Sequence, residues 1–140
     1  MQDYVNAEEQ ISLFCRLNIN IKKDIPVRSS EMGMLIYLVK TNKEKTPMGA
    51  ARFFKVTKAM ATNMATSLAK QGYIKKEPSE TDKRSVMLYP TEKAVALVEE
   101  TYAEYIKTMV LLNEKMGDRD FNALIELLEK ANDIIVCLKA

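Results

Sequence analysis

Residues 57–71 hold a set of side chains suited to hydrogen bonding at close range. Read at 3.6 residues per turn, Ala61, Met64, Ala65 and Leu68 share one face. Lys58, Thr62, Asn63 and Thr66 lie toward the other. This outward set is short and polar, unlike the long charged residues of an ordinary solvated helix. An asparagine can bond bidentately to adenine; a threonine donates or accepts, and its methyl can meet a thymine methyl. Lys58, near the start, can reach a phosphate or a guanine. Thr57 can cap the helix. Ala59 and Ala61 permit close approach, and Met60 fits either a core position or a methyl contact. The bland alternative for Thr62 and Asn63 is a neutral solvent face.

A second constellation follows. Residues 73–77 and 85–89 read as short strands around the charged tip Ser79-Glu80-Thr81-Asp82-Lys83-Arg84. Arg84 stands two residues after Asp82, so the carboxylate can hold the guanidinium by a charge-assisted bond. An arginine held in this way loses less entropy on entering a narrow, electronegative minor groove. Lys75, Lys76 and Lys83 lie near enough in sequence to contact phosphates. Alone, such a turn would be a surface ion pair worth under about 1 kcal/mol. Its meaning comes from its place directly after two helices, because a helix pair followed by a basic hairpin can read duplex DNA in two grooves at once.

The elements that must position these residues are mostly helical. Thr46-Pro47 is a cap followed by proline in the first turn, opening a short helix that turns Ala50, Ala51 and Phe54 inward. Lys55-Val56 makes the turn, and Gly72 ends the second helix in the left-handed position. Before them, residues 3–21 form a helix with Ala7, Ile11, Phe14, Leu17 and Ile21 on one stripe; Lys22-Lys23-Asp24-Ile25-Pro26 ends it. Ser29 or Ser30 caps a helix to about Thr41. After the hairpin, Pro90-Thr91 starts a long helix to about Met116. Gly117 stops it, and Asp118 caps a last helix containing Phe121, Leu124, Leu128, Ala131, Ile135 and Leu138. The first helix and the last two carry apolar stripes without a core of their own. A second copy of the chain can cover them; the alternative is an intramolecular bundle.

Composition sets the bounds. The 140 residues hold no His, which removes the commonest metal ligand and general base. Two cysteines are too few for a disulfide framework. No apolar run approaches the roughly 20 residues of a membrane span, and Met1-Gln2-Asp3-Tyr4 does not begin a signal peptide. A cytoplasmic location is expected. No nucleophile–base pair, glycine-rich phosphate loop or metal cluster stands in the sequence, so neither an enzyme nor a cofactor is expected. The net charge of +2 divides unevenly: residues 43–93 contain 11 Lys/Arg against 5 Asp/Glu, and the remainder 10 against 14. A phosphate-binding surface would concentrate basic charge in this way; a chance cluster on a solvated face is the alternative.

Residues 46–94 resemble the winged helix-turn-helix of the MarR family of bacterial transcription regulators. The family pattern runs Asp-x-Arg, five residues, then Leu-Thr-x-x-Gly. The chain keeps Asp82, Arg84 and Thr91, with Pro90 for Leu and Ala94 for Gly, and Lys55 where the helix–helix turn often has Gly. Element order and length agree as well. The resemblance implies one mainly α domain with a small β-hairpin wing: a DNA-binding lobe over about 30–90 and dimerisation helices over about 3–21 and 91–138. It implies a homodimer on a pseudo-palindromic operator, usually repressing, often released by a small ligand or by oxidation. Arg84 matches the arginine that enters the minor groove, and Thr57, Lys58, Thr62 and Asn63 match the recognition-helix contacts. The Asn63 position often holds Arg in the family. Some relatives sense peroxide with a thiol in the first helix, where Cys15 stands beside Arg16; a Cys on an apolar stripe is more commonly a small core residue. Cys137 reads the same way. Met32, Met34, Met64, Met87 and Met109 can line a pliable pocket between the head and the dimer helices, but ordinary gap-filling is the commoner role. The competing function is a winged-helix module that uses the same surface to bind protein.

Overall fold

A computed structural model describes residues 3–21, 25–81 and 84–138, with the side chains of 19–21 excepted. The elements run α1 (Tyr4–Ile21), α2 (Ser29–Lys40), α3 (Pro47–Phe54), α4 (Lys58–Lys70), β1 (Ile74–Pro78), β2 (Val86–Pro90), α5 (Glu92–Met116) and α6 (Asp118–Leu138). This is the expected mainly α fold with a two-stranded wing. β1 and β2 are antiparallel, with Lys76 opposite Leu88 and Pro78 opposite Val86.

The helix starts follow local chemistry. The hydroxyls of Thr46, Thr57 and Thr91 accept from the backbone N–H of Gly49, Met60 and Ala94 at 3.0, 3.1 and 3.3 Å. Each satisfies a donor that the first turn leaves open. α2 differs from expectation. Its cap is Arg28 rather than a serine, because the Glu31 carboxylate reaches back to accept from the Arg28 N–H at 3.0 Å. Both strands lie one residue later than expected. The α3–α4 turn places Lys55 at φ 57°, left-handed, and Gly72 ends α4 at φ 86°. The residues 22–24 expected to end α1 lie outside the described ones.

The core centres on α2. Met32, Met34, Leu35, Tyr37 and Leu38 are buried against Ala50 and Ala51 of α3, Ala61, Ala65 and Leu68 of α4, Ile74 and Leu88 of the wing, and Ala94, Leu97 and Val98 of α5. The four alanines let α3 and α4 approach closely. The Leu88 N–H also donates to the Lys45 carbonyl at 2.8 Å, tying the wing to the segment before α3.

That segment is pinned from two sides. The Tyr37 hydroxyl donates to the Glu44 carbonyl. Burial, and then the Glu44 charge, raise its pKa above the ordinary tyrosine value and so keep it a donor. On the other side Gly49 packs so tightly that a Cβ there would lie 2.5 Å from the same carbonyl. Gly49→Ala is therefore expected to destabilise the fold by about 1–3 kcal/mol through overpacking, seen as a lower denaturant midpoint at unchanged slope. An unchanged midpoint would mean that residues 44–49 relax freely.

Outside this core the helices keep large apolar faces in solvent. No residue of α6 is buried. Leu127, Ile134 and Leu138 are 64, 54 and 79% exposed. On α1, Tyr4, Val5, Ile11 and Leu17 are likewise exposed, and its later half meets α5 around a small apolar cavity lined by Phe14, Leu17, Met109 and Leu112. Cys15 and Cys137 are exposed, which corrects the expectation of core cysteines: their stripes are not covered by this chain's own core. Met32 and Met34 are gap-fillers as expected. Among the described residues, no helix is long and apolar enough to cross a membrane.

Candidate nucleic-acid interface

The helix-turn-helix and the wing meet around one open cleft of about 450 Å³. Its lining includes Lys58 and Thr62 from α4, Lys76 and Val86 from the wing, Arg84 and Ser85 from the approach to β2, and Glu44, Thr46, Pro47 and Met48 from the start of α3. Four of the residues singled out in the sequence thus come together: Lys58, Thr62, Lys76 and Arg84. Two helix N-termini, those of α3 and α4, also open at this cleft, adding their positive dipole ends. Among the described residues the lining holds one carboxylate, Glu44, 3.5 Å from Arg52. The described side chains of the cleft therefore carry an excess of positive charge.

The other candidates are distributed around it. Asn63 is exposed on the outer face of α4, and Met60 is 53% exposed, so it is not a core residue. Thr57 is exposed, with its hydroxyl engaged as the α4 cap. Thr66 is half-buried, and its hydroxyl accepts from the Lys76 ammonium at 2.7 Å. Lys75 is not brought to the cleft. It occupies the far face of the ribbon, where it pairs with Glu77 at 3.5 Å. Asp82 and Lys83 lie outside the described residues, so the expected Asp82–Arg84 support has no geometry to report.

Ser85, Val86 and the start of α3 escaped the sequence reading. For Val86 a signal existed. In a strand, side chains alternate between faces, so Val86 shares a face with Leu88, the buried residue of β2. The same parity, counted from buried Ile74, places Lys76 toward α4 and Lys75 away. Nothing local marks the α3 residues, because their place depends on the packing of α3 against the wing.

Two helices joined by a short turn, followed by a β-hairpin folded back beside the second helix, define a winged helix-turn-helix. Residues 26–86 match the model of the MarR family, whose members are transcription regulators. No curated protein matches the chain. Solved structures share the fold over nearly the whole length. The MarR protein from Peptoclostridium difficile is 22% identical, with a TM-score of 0.78 over 97% of this chain and 90% of that one. Streptococcus pneumoniae FabT, solved in complex with DNA, is 23% identical, with a TM-score of 0.74 over 97 and 99%. The S. aureus MepR–DNA complex is 16% identical, with a TM-score of 0.80 over 95 and 98%.

Proposed function

We propose that two copies of this chain bind a pseudo-palindromic duplex and repress transcription from it. The observation that carries this reading is the convergence of Lys58, Thr62, Lys76 and Arg84 on one cleft between α4 and the wing. In this arrangement α4 enters the major groove. Asn63 and Thr62 meet base edges, Met60 meets a thymine methyl, and Lys58 meets a phosphate or a guanine. Thr57 supports them as the cap and lies beside the backbone. Arg84 reaches into the adjacent minor groove, while Lys83 follows the phosphates. Two relatives of the same fold were solved with DNA, which supports the choice of partner. The exposed stripes of α1 and α6 support pairing of two copies. Release by a small ligand or by oxidation completes the reading; Cys15, exposed on α1, is the candidate thiol.

Selection of bound duplexes from a random pool, followed by titration across a salt series, tests it. An enriched inverted repeat whose affinity falls steeply as counterions are released is the expected result. Enrichment of no sequence would remove the reading. Repeating the titration with peroxide tests the thiol, and oxidative release that persists in Cys15→Ser would eliminate that residue's role. Protein binding by the same surface has the exposed Met48, Met60 and Val86 in its favour. Scattered exposed apolar residues are normal on soluble proteins, and Thr57 and Asn63, one turn from Met60 on either side, are polar.

A further inference from the structure

Reading two grooves at once demands a fixed distance between α4 and the wing. A two-stranded ribbon does not supply this by itself, because isolated hairpins are marginally stable and strongly twisted. The base of the wing is anchored well. The Thr91 hydroxyl donates to the Gly72 carbonyl at 2.7 Å, the Thr91 N–H to the Tyr73 carbonyl at 3.0 Å, and the Lys93 ammonium to the Gln71 carbonyl at 2.8 Å. All three bonds lie where α4 ends and α5 begins, at the end of the ribbon away from Arg84.

Midway along the ribbon one bond crosses to α4. The Lys76 ammonium donates to the Thr66 hydroxyl at 2.7 Å, between residues ten apart in sequence. Lys76 stands opposite Leu88, which is fully buried, so the root of this side chain is held by the core. Thr66 is half-buried on a helix whose Ala61, Ala65 and Leu68 are locked inward. The bond therefore joins an exposed lysine, rooted opposite buried Leu88, to a half-buried threonine on α4, beside the cleft that Lys76 lines. Sequence reading gave Lys76 and Thr66 separate contacts to DNA; the geometry gives them to each other.

We propose that Lys76 and Thr66 form a strut that sets the angle between the wing and α4, and that both are positioning residues for Arg84 rather than independent DNA contacts. This rests on the DNA-reading function proposed above. A direct phosphate contact by Lys76 and a strut make different demands. A phosphate contact needs only the charge of Lys76 and is indifferent to Thr66. A strut needs the Thr66 hydroxyl as much as the ammonium, and losing either partner has the same effect.

The test uses the full chain and the duplex selected from the random pool, with Thr66→Val (same shape, no acceptor), Thr66→Ser, Lys76→Met and the Thr66→Val/Lys76→Met double variant. Thr66→Val and Lys76→Met are each expected to weaken binding by about tenfold, as for a hydrogen bond to a charged group. The double variant should bind no more weakly than either single one, and Thr66→Ser should bind like the parent. In none of them should the salt slope change. A second readout separates positioning from a general loss of stability. In duplexes whose A·T flank is moved by one base pair relative to the half-site, the parent should bind worse than on the native spacing, and Thr66→Val should have lost most of that discrimination. Parent-like binding by Thr66→Val overturns the strut. So does a Lys76→Met salt slope shallower by about one, the mark of a lost phosphate contact, and so does additivity in the double variant. A parent protein that binds no duplex in a salt-dependent way overturns the DNA-reading function and the strut with it.

Discussion

Leu127→Glu combined with Ile134→Glu is expected to convert the protein to a monomer and to lower operator affinity by about 10²–10⁴-fold. The two residues stand two helical turns apart on one face of α6, 64 and 54% exposed, and no residue of that helix is buried in its own chain. Covering such side chains contributes roughly 1.5–3 kcal/mol each. In a symmetric pair the change would place four carboxylates in an apolar contact, which a dimer cannot tolerate without pairing or hydrogen bonds. The core around α2 should be undisturbed, because neither residue belongs to it. Monomeric protein with an unchanged helical signal would retain a reading head but lose the second half-site, so binding should fall to the level of one head. Sedimentation and a duplex titration measure both effects. A variant of parental mass that binds like the parent would place the contact between copies elsewhere.

Arg84→Ala should weaken binding by about 1–3 kcal/mol, with the loss largest on duplexes with A·T-rich flanks. The arginine lies exposed at the wing side of the cleft, together with Lys58 and Lys76. An A-tract narrows the minor groove and deepens its negative potential, so the guanidinium gains most there. Replacing the flanks with G·C should cost the parent much and the variant little. Arg84→Lys should rescue the salt slope but not the flank preference, since a lysine carries the charge without the planar fork. Equal losses for the variant on every flank would assign Arg84 to the backbone and not to a groove.

The sequence revealed the helices because their ends are written in local chemistry. Thr46, Thr57 and Thr91 each precede a helical stretch and each accepts the expected N–H; Gly72 takes the left-handed angle that stops α4. The α2 start was misread because two serines compete for a role that Glu31 settles in favour of Arg28. The two faces of α4 were legible from periodicity: Ala61, Ala65 and Leu68 are buried and Met64 half-buried, while Lys58 and Asn63 are exposed and Thr62 and Thr66 half-buried. The division of labour within the wing was less so. Strand parity separates Lys75 from Lys76, but only the placement of Ile74 and Leu88 in the core says which lysine looks toward α4. The bond from Lys76 to Thr66 could not be read at all, because it depends on how far the ribbon folds back over the helix. The same holds for the start of α3. Its residues reach the cleft through the packing of three elements, and no local pattern encodes that.

The most direct test of the account is the arrangement of contacts along the selected duplex, read by hydroxyl-radical footprinting of the full chain. Paired reading heads should protect two half-sites related by a two-fold axis and about 34 Å apart, flanked by minor-groove protection that disappears in Arg84→Ala. A single protected half-site, or flanks whose protection is indifferent to Arg84, would contradict it.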